Sequence, residues 1–237
     1  MIRLSLRLLL LALLLAALLP VHGVWRLCRL PSPWPRRFLA TSARIMGARV
    51  RVIGTPSTRD VVILANHLSW MDILLLAGST GATFVAAGEL RRAPLVGWLA
   101  SLHHTIFVAR GNRMAVGDQV AAVRAALGPQ PVAIFPEGTT GDGVTLLPFK
   151  PALLAALDPP PAGLAVQAVR IDYGAATREL AWVGDEAGAS HARRVLERRG
   201  SFTATLRFAD PFVPAGGRKA IAAEARRRIE ALQPPKV

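Results

Sequence analysis

A continuous apolar run, Val61 to Ala65, stops at Asn66-His67-Leu68-Ser69-Trp70-Met71-Asp72, and a second apolar run, Ile73 to Ala77, follows at once. The first run is short and valine-rich, which predicts a buried strand. The second predicts the opening of a helix. The polar residues between the two runs therefore sit at a strand-to-helix corner.

His67 and Asp72 frame that corner. On one helix, five steps of about 100° would set them roughly 140° apart, out of contact. They can meet only if His67 stays in the loop while Asp72 occupies the first turn of the helix. Ser69-x-x-Asp72 matches a helix N-terminal capping pattern, which favours that arrangement. The Asp72 carboxylate would then accept a hydrogen bond from one imidazole nitrogen and leave the other facing outward as a general base. Read without chemistry, the same residues are a helix cap and a loop histidine.

Two further segments carry candidate contacts. His103 to Arg110 reads as a strand delivering Arg110 at its C-terminal end, where ligands of open α/β sheets gather. A guanidinium there offers a planar fork of donors to a phosphate or carboxylate. Pro131 to Phe135 reads as a buried strand that ends in Pro136-Glu137-Gly138-Thr139-Thr140-Gly141-Asp142-Gly143. Its glycines let the backbone approach a ligand, and its free amides can cradle an anion. Glu137 can organise the loop or accept from a substrate hydroxyl. The adjacent His103 and His104 lack a third ligand at useful spacing, so no metal site is predicted. Ser69 is a cap and not a nucleophile, since no Gly-x-Ser-x-Gly elbow occurs.

Taken together, Asn66-His67-x-Ser69-x-x-Asp72, Ile106-Phe107-Val108-x-Arg110 and Phe135-Pro136-Glu137-Gly138-Thr139 resemble, in order and separation, the first three motifs of the glycerolipid acyltransferases. The likeness runs from about residue 50 to the C-terminus. It implies a mixed α/β sheet of about seven strands flanked by helices. It also implies His67 and Asp72 as the catalytic pair, Asn66 and Ser69 as support, and Arg110, Glu137, Gly138, Thr139 and Lys150 as substrate contacts. The reaction implied is transfer of a fatty acyl group to a lysolipid hydroxyl, with acyl carrier protein or coenzyme A thioester as co-substrate and no cofactor.

Two acceptors compete. The commoner family member acts on 1-acyl-sn-glycerol-3-phosphate, so that acceptor, giving phosphatidic acid, is the first expectation and lyso-ornithine lipid the alternative. Thr140 stands where that form tends to carry arginine, and Ala87 where many members carry lysine. Those departures, and Thr140 through Lys150 as a whole, look closer to the lyso-ornithine-lipid branch. Pro151-Ala152 replaces a usual glycine, and Ala168 a usual proline in Val166-Gln167-Ala168-Val169. A more distant alternative is an acyl thioesterase, in which His67 would activate water.

The N-terminus adds a membrane. Leu8 to Leu19 contains only leucine and alanine, behind Arg3 and Arg7 and ahead of Pro20 and Gly23. That run falls short of the ~20 residues a spanning helix needs. Pro20-Val21-His22 is a poor cleavage site, so residues 1–35 are expected to be a retained anchor and linker, and residues 36–237 the acyltransferase domain. Whether the anchor spans the bilayer or lies in one leaflet stays open. The formal net charge is +14, mostly arginine, which favours anionic partners such as lipid headgroups or an acidic carrier protein. Nucleic acid is not expected, because aromatic and helix-turn-helix signals are missing. The expected location is the cytoplasmic face of the inner membrane. The lone Cys28 excludes an internal disulfide.

Overall fold

The computed structural model describes residues 2–108 and 116–233. A long helix α1 (Ile2–Leu27) and a shorter α2 (Trp34–Ile45) precede strands β1 (Ala48–Ile53) and β2 (Val61–Ala65). Then follow α3 (Met71–Thr80), β3 (Thr83–Ala87), α4 (Pro94–Leu102), β4 (Ile106–Val108), α5 (Val116–Ala126) and β5 (Val132–Ile134). The chain continues through β6 (Ala165–Asp172), the short α6 (Thr177–Leu180), α7 (Gly188–Glu197), β7 (Phe202–Phe208) and α8 (Gly217–Ala231).

The seven strands described form one mixed sheet in the order β1-β7-β6-β2-β5-β3-β4. Neighbours run parallel except β6 and β7. β2 is central and buried along its whole length, as its unbroken apolar run requires. Ile63 and Ala65 face a core shared with α2, α3 and α7, while Val62 and Leu64 face a second core beneath α5 and α8. Every strand that feeds the candidate site therefore ends beside β2.

α1 is long and apolar enough to cross a membrane by length and composition, and none of its residues is fully buried. It nevertheless touches the domain near both ends. Arg7 donates from Nη1 to the carbonyls of Val195 and Leu196, each at 3.0 Å, at the end of α7. Leu11 packs on the core of α2 and α3. The Trp25 ring meets Trp34 edge-on at 5.6 Å between centroids. At 1.5 Å per residue, Arg7 and Trp25 are about 27 Å apart along the helix. Both ends lie on one body, so α1 runs along the domain instead of projecting from it.

Three local readings differ from the structure. His103 and His104 lie in a turn after α4, not in a strand; His103 is buried with Nε2 2.9 Å from the Ala82 carbonyl. Pro35 falls in the first turn of α2, where its missing N–H costs nothing, so the helix begins inside the proline-rich stretch read as a linker. The stretch from about Arg218 to Leu232 reads from its arginines as a basic, exposed helix, but it buries Ile221, Ala222, Ala225 and Ile229. Arg226 on that helix donates to the carbonyls of Leu146 and Leu147.

Candidate active site

The corner after β2 folds as its spacing demands. His67 remains in the loop and Asp72 sits in the first turn of α3, with His67 Nδ1 2.8 Å from Asp72 Oδ2. The same Oδ2 accepts from the amides of Leu68 at 2.6 Å and Ser69 at 3.0 Å. Ser69 Oγ in turn accepts from the Met71 amide at 3.1 Å, a reciprocal cap at the helix start. The other oxygen, Oδ1, accepts the hydroxyl of Tyr173. Asp72 is completely enclosed, whereas the His67 side chain keeps 18% of its surface open. An ionised carboxylate only accepts, so Nδ1 is the donor in this bond and Nε2 is the ring nitrogen left outside it. Nothing among the described residues bonds Nε2.

Asn66 anchors the corner from behind. Its Nδ2 donates to the Ile171 carbonyl at 3.0 Å, and its Oδ1 accepts the Ile171 amide at 2.7 Å. That two-way bond closes β2 onto β6 one residue before the histidine.

Glu137 braces the corner from the loop after β5. Its Oε1 accepts the His67 amide and its Oε2 the Leu147 amide, both at 2.9 Å. The Gly141 amide returns a bond to the His67 carbonyl at 2.8 Å. Phe135 stacks on the imidazole, 3.9 Å between centroids and 10° between planes. Burial pushes the Glu137 carboxyl above the usual range, while donation from Leu147 and His67 acts against that rise. Gly138 has φ of +68°, which glycine adopts without strain, and the exposed Lys150 lies across it.

A family described as Acyltransferase matches residues 49–168, the stretch that holds β2, the His67 corner and the Glu137 loop. The chain belongs to the acyltransferase family. A protein of Brucella abortus named lyso-ornithine lipid O-acyltransferase is 34% identical over 226 residues, covering 86% of this chain and 84% of that protein. A protein of Neisseria gonorrhoeae named 1-acyl-sn-glycerol-3-phosphate acyltransferase is 36% identical over 126 residues, covering 51% and 48%. Among solved structures, the 1-acyl-sn-glycerophosphate acyltransferase PlsC of Thermotoga maritima matches with a TM-score of 0.59 and 25% identity over 97% of both chains.

In this acyltransferase, His67, Asp72, Asn66, Ser69, Glu137 and Gly138 come together around one corner. Thr139 is exposed on the same loop. Arg110 lies outside the described residues. Glu137 arrives as an organiser, both oxygens occupied by backbone donors. The amides of His67, Leu68, Ser69 and Met71 are all engaged, whereas those of Thr139 and Thr140 have no partner among the described residues.

Sequence reasoning missed the outer supports. Tyr173 comes from the end of β6, and Phe135 from the end of β5. Trp182 donates its amide to the Leu68 carbonyl at 2.8 Å, and Thr140 Oγ1 donates to the Trp182 carbonyl. Behind them His191 is wholly buried, accepting from Trp70 Nε1 at 2.9 Å on Nδ1 and lying 3.0 Å from the Leu180 carbonyl on Nε2. Burial lowers its pKa, in keeping with a neutral ring that links α3 to α7.

Proposed function

We propose that this acyltransferase moves a fatty acyl group from an acyl carrier protein or coenzyme A thioester to a lysolipid hydroxyl, with lyso-ornithine lipid as the preferred acceptor. The observation that carries the reaction is the His67–Asp72 pair, its Nε2 without a partner among the described residues. His67 Nε2 takes the hydroxyl proton as the oxygen attacks the thioester carbonyl. Asp72 fixes the tautomer and stabilises the imidazolium, with no covalent enzyme intermediate. The tetrahedral adduct then expels the thiolate, which recovers the proton from His67, giving ester and free thiol. The amides of Thr139 and Thr140 are the candidates for the developing oxyanion, because those of the corner are spent. No cofactor enters the scheme, and Arg110 and Lys150 serve as cations for the anionic substrate groups.

Thr140 supports the order of acceptors. Its hydroxyl turns inward to the Trp182 carbonyl, where the phosphate-acceptor form tends to have arginine, and Ala87 brings no charge. An acceptor with an ornithine headgroup in place of a phosphate suits that loss. The lyso-ornithine relative also aligns over most of both chains. The second reading, 1-acyl-sn-glycerol-3-phosphate, is favoured by the full-length likeness to the Thermotoga enzyme. A charge-assisted contact is worth about 1.5–3 kcal/mol, so the expected preference is about tenfold or more in kcat/KM. Purified protein given each lysolipid with each thioester should form ornithine lipid faster. A reversed preference would replace the acceptor, and fatty acid release without lysolipid at the same rate would favour the thioesterase.

On the same reading, α1 lies in the plane of the inner membrane's cytoplasmic face, apolar side in the lipid. The arginines around it meet anionic headgroups. Epitopes at both termini should then be accessible together on inside-out vesicles. An N-terminus shielded from that side would mean a spanning helix.

A further inference from the structure

We propose that Tyr173 is a positioning residue of the acyl transfer, acting through Asp72 to fix the carboxylate and to set how firmly the Asp72–His67 pair holds a proton. The inference rests on His67 as the base. Tyr173 follows the last residue of β6, is 1% exposed, and packs its ring edge-on against Phe202 at 5.6 Å. Its hydroxyl donates to Asp72 Oδ1. The three donors already on Oδ2 are His67 Nδ1 and the amides of Leu68 and Ser69. Tyr173 thus supplies the sole donor to Oδ1 among the described residues. Without it, a fully buried carboxylate would hold one bare oxygen, and the pair would bind a proton more tightly to spread that charge.

The phenol suits the task. Burial first, then the charge of Asp72, holds its own ionisation well above the usual 10, so it stays a donor wherever the enzyme works. Among the described residues, the other charged group facing the pair is Glu137, from the loop after β5, with Arg170 of β6 beyond it. His191 of α7 stands behind the Trp70 ring. Glu137 meets the main chain of His67, which leaves Tyr173 as the described side chain besides His67 that hydrogen-bonds Asp72.

The test exploits composition, since Tyr173 is the chain's single tyrosine. Tyr173→Phe removes one oxygen and keeps the ring against Phe202. It should lower kcat about ten- to a hundredfold with little change in KM. The acid limb of the pH–rate profile should move up by about one pH unit. Growth on 3-fluorotyrosine labels this one side chain with a more acidic phenol, a stronger donor, and should move the limb the other way. A uniform loss of rate at every pH, or a limb that stays put in both proteins, would overturn the proposal. If Tyr173→Phe does not fold, the fluorinated protein decides alone. His67→Ala is assayed in parallel. Full turnover there would sink the base itself, whereas an inactive His67→Ala beside an unmoved limb would sink only the role of Tyr173.

Discussion

Alanine at position 67 is expected to lower kcat/KM for acyl transfer by about 10²–10⁴-fold, the range a positioned general base supplies. The loss should fall on kcat, with KM nearly unchanged, because in the proposed scheme the imidazole acts on the reacting proton and other residues hold the substrates. Folding should survive. The ring is partly open, makes one side-chain hydrogen bond among the described residues, and leaves Asp72 with the Leu68 and Ser69 amides and the Tyr173 hydroxyl. The expected cost in stability is about 1 kcal/mol, one net hydrogen bond and some stacking on Phe135. Initial rates on a lysolipid acceptor, together with urea denaturation, measure both quantities. Unimpaired turnover with an intact fold would remove the imidazole from the mechanism.

Exchanging Glu137 for glutamine should damage stability and rate together. Both carboxylate oxygens accept backbone N–H groups, from His67 and from Leu147, inside a site that leaves the residue 2% exposed. A side-chain amide has one oxygen, so its NH₂ must face one of those donors and strand it. An orphaned buried donor costs about 1–3 kcal/mol. The loop from β5 to Lys150 would slip against the His67 corner, and a misplacement of about 1 Å can cost ~10²-fold in rate. Denaturation midpoints and kcat values of Glu137→Gln and Glu137→Asp separate the two losses, since aspartate keeps the charge and shortens the reach. A glutamine variant as stable and as fast as the parent would show that the brace is dispensable.

What could be read from the chain alone was whatever local spacing controls. The five-residue separation of His67 and Asp72 admits contact in one backbone arrangement, and the structure adopts it. Ser69 declares the start of α3 for the same reason, its hydroxyl being three positions ahead of a carboxylate. Tyr173 had no such signature. It lies 101 residues from its partner and reaches it because β6 pairs with β2, a neighbourhood fixed by tertiary packing. The contacts of Phe135 and Trp182 with the corner were hidden in the same way. The last helix was misjudged because its arginines outweighed a sparser signal, Ile221, Ala225 and Ile229 at four-residue intervals along one face. The histidine pair after α4 was drawn into a strand by the apolar residues following it, although His104 turns the chain with φ of +56°.

α2 lies between α1 and α3, and its contact with α3 is unusually close. A Cβ built on Gly78 would stand 2.8 Å from the Ala40 Cα, and Arg36 Nε donates to the Gly78 carbonyl at 3.1 Å. Packed helices keep their axes about 8–10 Å apart. With α1 embedded as proposed, the height of the dyad above the acyl chains would be set by helix packing. Acceptors would be sorted by how far their reacting oxygen stands from the tail that keeps them in the leaflet, before any headgroup contact is made.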